Sequence, residues 1–186
     1  MRHAHTQALH AYWLSRRNSG TTPLRSAIAP QELSDFLGHV FILRRMDRDH
    51  HVFRLAGTQL CDLFQREFRD QNFLSLWRGY DRNHMQALLD SVLAGGSPAY
   101  ARIAAHTLEM QALPLELALF PLRGAEGSVD RTLGLLQPLH ASDDLGGRPL
   151  VRLRLKDITP PVLTSGPFAA LNGERHPYDE GLTGHA

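Results

Sequence analysis

Residues 40–77 read VFILRRMDRDHHVFRLAGTQLCDLFQREFRDQNFLSLW. Two β-like runs, VFILRRM and HVFRLAG, flank the charged turn Asp47-Arg48-Asp49, a pattern that predicts a hairpin. Gly57 and Thr58 break the second run. Thr58 is placed to cap a short helix from Gln59 to Phe64, where Leu60, Leu63 and Phe64 fall at i, i+3 and i+4 on one face. A helix this short is marginal in water by itself, so packing must hold it. The stretch closes on Phe73, Leu74 and Trp77, an aromatic-capped turn.

Working outward, the N-terminus predicts a helix. Leu9, Tyr12, Trp13 and Arg16 recur at three- and four-residue spacing, and Asn18-Ser19-Gly20 ends the run. A second short helix is expected after Pro30, with Leu33, Phe36 and Leu37 as its apolar stripe and Gly38 as its stop. The strongest helical pattern runs from Asp81, read as its cap, to Leu93. There Met85, Leu88, Leu89, Val92 and Leu93 form one face, and Gly95-Gly96 ends it. Three β-like runs follow, Ala99 to His106, Leu113 to Leu122 and Thr132 to Leu139. A last run, Val151 to Leu155, alternates with Arg152 and Arg154 as an edge strand would. The late strands carry apolar residues on both faces, so both faces need cover. The inserted helices serve one. The helix bearing Leu9, Tyr12 and Trp13, or a second subunit, must serve the other, which makes these three residues the expected homodimer interface.

The totals exclude more than they assign. The 186 residues suit one globular domain with a trailing segment, and the formal net charge of +1 calls for neither nucleic acid nor an anionic membrane. Lys156 is the single lysine, and the arginines are spread from Arg2 to Arg175. Cys61 is the single cysteine, so an intrachain disulfide is excluded. The start has no signal-peptide pattern, and no run reaches the ~18 apolar residues of a membrane span. The expectation is a soluble cytoplasmic protein. Proline and glycine crowd the chain after Asp157. The expected organisation is N-terminal flanking helices over 1–38, a central domain over 39–157, and a poorly ordered tail over 158–186.

The order of these phrases resembles the PAS fold. More narrowly, AYWLSRRNSGTTPLRSAIAP, HVFILRRM, FRLAGTQLCDLFQRE, DQNFLSLW, LELALFPL and RTLGLLQPL resemble the stand-alone PAS proteins of alphaproteobacteria, over about residues 10–155. The resemblance implies an α+β fold with a five-stranded antiparallel sheet, inserted helices and an N-terminal flanking helix. It further implies a non-catalytic regulatory or sensory module that acts through protein contacts or dimer state, with an unidentified signalling partner. It transfers no ligand, cofactor or catalytic motif. One departure is Gln65, which stands where such motifs often carry glycine.

The chemistry-bearing residues are weighed in that frame. A ligand pocket between sheet and inserted helices would be lined by Phe64, Phe73, Trp77, Met85, Leu89 and Leu119, with Arg102 or His106 as polar anchor. The plainer reading is that the apolar members fill the core. Cys61 has no local motif to orient a base, and a small buried residue explains it. His3, His5, His10, His50 and His51 lack the spacing of a metal site, so no metal is expected. For haem, His84 lies on the long helix but in its first turn and His106 ends a strand near the expected pocket, and no haem is expected. The rival function is a small α+β pocket enzyme, a hydrolase or isomerase. It would need His106 beside Glu109 or Glu116 in one cavity, and strand alternation turns Glu116 away from the Leu115/Leu117 face.

Overall fold

The computed structural model describes residues 1–19 and 21–162, with backbone alone for Asp143 and Asp144. Helix α1 (Ala4–Ser15) leads into short 3-10 turns at Arg25–Ala27, Pro30–Leu33 and Leu37–His39. The expected second helix is therefore a pair of tight turns. Leu33 and Phe36 are buried as its stripe required. Strands β1 (Val40–Arg45) and β2 (His51–Ala56) form the hairpin. Its turn is closed by the Met46 N–H donating to His50 O at 2.8 Å and the Asp49 N–H donating to Asp47 Oδ1 at 2.8 Å.

Helix α2 (Thr58–Phe64) follows, then a 3-10 turn at Phe73–Leu76, then helix α3 (Gly79–Gly95). Two expected caps move by one or more residues. Gly57, not Thr58, holds the cap position of α2, and Arg78 precedes α3, leaving Asp81 inside its first turn. Gly57 is required by contact: a Cβ there would lie 2.2 Å from the Gly38 carbonyl oxygen. Helix α3 ends as read, with Gly96 left-handed at φ 61°.

Strands β3 (Ala99–His106), β4 (Ala112–Arg123), β5 (Val129–Pro138) and β6 (Arg152–Thr159) complete one antiparallel sheet ordered β2-β1-β5-β4-β3-β6. The sheet has six strands rather than five. The sixth is the run read as an edge, and it pairs with β3 because Leu153 has a buried place beside Ala105. It extends to Thr159, two residues past the expected domain limit; the rest of the expected tail, beyond residue 162, lies outside the described residues.

The sheet separates two apolar cores. On one side Leu113, Leu115, Leu117 and Leu119 of β4 meet α2, α3 and the aromatic group Phe41, Phe53, Phe68 and Phe73. On the other, Ala118, Phe120 and Leu122 meet Leu9 and Trp13 of α1 together with Ile28, Leu33 and Phe36. Leu9 and Trp13 are fully buried, and each such side chain stabilises by about 1.5–3 kcal/mol. Helix α1 thus supplies the second cover within the same chain. Packing over β5 is close enough that a Cβ at Gly134 would fall 2.0 Å from the Phe41 ring.

Candidate functional site

Strand parity decides which expected pocket residues share a face. Ala99, Ala101, Ile103 and Ala105 pair with Leu119, Leu117, Leu115 and Leu113 and face the inserted helices. Phe64, Phe73, Trp77, Met85, Leu89 and Leu119 join them in one cluster, each at most 5% exposed. All six side chains are buried members of this cluster. Arg102 and His106 have the opposite parity and lie on the α1 side of the sheet, so they anchor nothing in that cluster. The reason is the two-residue period of the strand, which sends alternate side chains through opposite faces.

Among the described residues, buried polar atoms without a hydrogen-bond partner include Trp77 Nε1 of this cluster. They also include both ring nitrogens of His51, which is fully buried. Burial pushes its pKa down to about 4, against an opposing pull from Asp90. Its backbone is tied to the inserted segment, because the His51 N–H donates to Asn72 Oδ1 at 3.2 Å. Asn72 also accepts from the Leu74 N–H at 3.1 Å and donates to Asp49 O at 2.7 Å.

On the α1 side, Arg102 serves a different site. Its guanidinium lies 3.0 Å from Glu116 Oε2 and donates to Met1 O at 2.7 Å. Glu116, only 2% exposed, also accepts the His3 N–H at 2.9 Å. His5 Nδ1 sits 2.9 Å from Gln137 Oε1, and the Arg2 guanidinium stacks 3.6 Å over the Tyr100 ring. The start of α1 is therefore pinned to the sheet by a buried carboxylate and its partners. Further along, Trp13 Nε1 donates to Pro121 O at 2.9 Å, and Tyr12 accepts the Ala29 N–H at 2.8 Å. Leu9, Tyr12 and Trp13 are thus used inside the chain, because the second sheet face is covered in cis.

The enzyme constellation does not assemble. His106 and Glu116 share the α1 face, but Glu116 pairs with Arg102 and His106 with Ala112. Four residues along β4 separate those positions, about 13 Å. Glu109 is exposed and lies 3.8 Å from Arg148. Cys61 is half-buried, and burial pushes its thiol pKa up, away from a reactive thiolate. His84 is exposed on the first half of α3.

A cavity lies at the edge of the helix-covered core. It measures about 450 Å³ and opens between α2 and the segment after β5, with Gln59, Leu63, His140, Leu145 and Arg148 on its walls. Its rim is braced at Gln65, whose amide donates to Gly147 O at 2.5 Å. Gln65 is left-handed at φ 48°, the conformation that glycine adopts without cost. Neither this cavity nor the left-handed exit could be read from apolar periodicity, since polar side chains from distant segments build them. The replacement of glycine by Gln65 was the one local sign.

Among the described residues, no helix is long and apolar enough to cross a membrane. No curated protein matches the chain. Solved structures similar to it include a LOV protein of Rhodobacter sphaeroides, at 17% identity over 56% of this chain and 61% of that one, TM-score 0.44. An RNA-binding light-oxygen-voltage receptor is similar at 19% identity over 66% and 35% of the two chains, TM-score 0.46. The Vibrio cholera VqmA protein, in a complex with ligand and DNA, is similar at 13% identity over 64% and 55%, TM-score 0.47. The alignment spans about three fifths of the Rhodobacter chain. The antiparallel sheet with helices inserted between its second and third strands agrees with a family model described as PAS domain, which matches residues 1–137, and the chain belongs to that family.

Proposed function

We propose that this protein is a non-catalytic cytoplasmic PAS regulatory module that signals by protein contact, as a homodimer whose state a partner reads. The observation that carries the reading is α1, which lies across the second sheet face and is pinned at its start by Glu116 and Arg102. A helix held by a few polar ties over a packed sheet is an element whose docking a ligand or partner can bias. With Leu9 and Trp13 buried in cis, the dimer contact falls to the outer face of α1. There Ala11 and Leu14 are exposed along a groove that also includes Gln7 and His10. A small ligand, if the module has one, binds in the outer cavity beside Gln59 and Arg148, whose volume lies in the range of ligand pockets.

Light scattering of the full chain over a dilution series tests the dimer. Wild type is expected to be dimeric and Leu14→Glu monomeric, with an unchanged circular dichroism spectrum. A monomeric wild type at every concentration, or a Leu14→Glu dimer of unchanged stability, would refute the outer-face interface.

A further inference from the structure

Where β6 meets the start of α3, cations outnumber acids. Arg78, Arg152, Arg154 and Lys156 line a cleft of about 400 Å³ that holds a single carboxylate, Asp81. Asp81 is engaged, at 3.9 Å from the Arg154 guanidinium. Arg78, Arg152 and Lys156 are exposed and form no ion pair among the described residues. Tyr80 stands in the same cleft at 84% exposure. Cations on an edge strand commonly guard it against pairing with another copy. That role needs neither Arg78 nor Tyr80, which come from a different element and converge on the same cleft. Net charge over the whole chain is +1, so the excess here is a local feature rather than the general balance.

We infer that this cleft docks an acidic segment of a partner protein, with carboxylate side chains on Arg78, Arg152 and Lys156 and an apolar side chain against Tyr80. Exposed aromatics flanked by arginine are the residue types that dominate protein contacts, and complementary charge speeds and orients the encounter. The inference rests on the regulatory reading and names the surface through which a partner is met. It uses residues remote from the α1 groove.

Fluorescence anisotropy of the full chain with a fluorescein-labelled peptide of repeated Asp-Glu-Leu tests it. Binding is expected to weaken about tenfold in R152E/K156E and less than about twofold in R44E/R69E, which makes the same charge change at exposed arginines elsewhere. Tyr80→Ala is expected to weaken it severalfold at both low and high salt. A repeated Asn-Gln-Leu peptide should not bind. Equal losses in the two charge-reversal variants, no effect of Tyr80→Ala, or no binding at low salt would overturn the proposal. So would tighter binding of a single-stranded uridine oligonucleotide with the same sensitivity to R152E/K156E, which would assign the cleft to nucleic acid. Light scattering of R152E/K156E separates the two readings: a retained dimer with or without peptide binding leaves the α1 interface intact.

Discussion

Trp13 and Trp77 are both buried, yet only Trp13 has a partner for its indole N–H. The consequence is a difference between two identical substitutions. Trp13→Phe leaves the Pro121 carbonyl without its donor and removes ring area, at an expected cost of about 2–4 kcal/mol. Trp77→Phe removes the same area but also removes a buried donor that nothing satisfies, so it is expected to cost at least about 1 kcal/mol less. Urea unfolding of the two variants checks this; equal destabilisation would mean that the Trp77 N–H is satisfied in solution. The same residue-level logic explains why Arg102 leaves the expected pocket. Its parity puts it beside Glu116, and a carboxylate with 2% exposure requires a cation or donors close by.

Among the elements, α2 shows most directly how local geometry shapes the outer cavity. Its exit is left-handed at Gln65, and the Gln65 amide holds the Gly147 carbonyl. Backbone strain and side-chain tie therefore act in opposite directions. Gln65→Ala keeps the strain and loses the tie; Gln65→Gly loses both. Thermal or urea unfolding is expected to rank Gln65→Gly above Gln65→Ala by about 1 kcal/mol. An inverted order would show that the exit does not stay left-handed. Gln65→Gly is further expected to loosen the 145–148 segment that walls the cavity, read as faster amide exchange there with exchange in α3 unchanged.

For the whole molecule, burial of imidazoles couples stability to pH. His51 titrates at about 4 in the folded chain and near the ordinary 6.5 when unfolded. Between those values the unfolded chain binds the extra proton, so the His51 contribution to stability is lost as pH falls from about 6.5 toward 4 and is constant above. The groups that act on His51 besides burial are Asp90, Arg45 and Asp47. His3, His10 and His39 are also held below the ordinary value, chiefly by desolvation, and add the same sign. Urea unfolding across this window is expected to show an acid loss to which His51 contributes up to about 3 kcal/mol. His51→Leu should flatten the curve by that part; an unchanged slope would remove His51 as its source.

Much of the architecture was legible because alternation and helical spacing report which side of an element is apolar. The run of leucines in β4, the helix from Met85 to Leu93 and the hairpin at Asp47-Arg48-Asp49 all stand where their periods placed them. The period also reported that β4 and β5 are apolar on both faces, and hence that a second cover exists. It could not say that the cover is α1 of the same chain, since Leu9 and Trp13 look alike whether buried in cis or against another copy. Nor could it tell a core from a ligand pocket at Phe73, Trp77 and Met85, because the same side chains serve both and only their mutual packing distinguishes them. The outer cavity and the cation-lined cleft depend on pairs such as Gln65 with Gly147 and Tyr80 with Arg152, far apart in sequence. Local pattern determined the elements and the two-sided sheet; the tertiary structure alone decided what covers each face and which polar groups meet, because those are contacts between segments that no local period links.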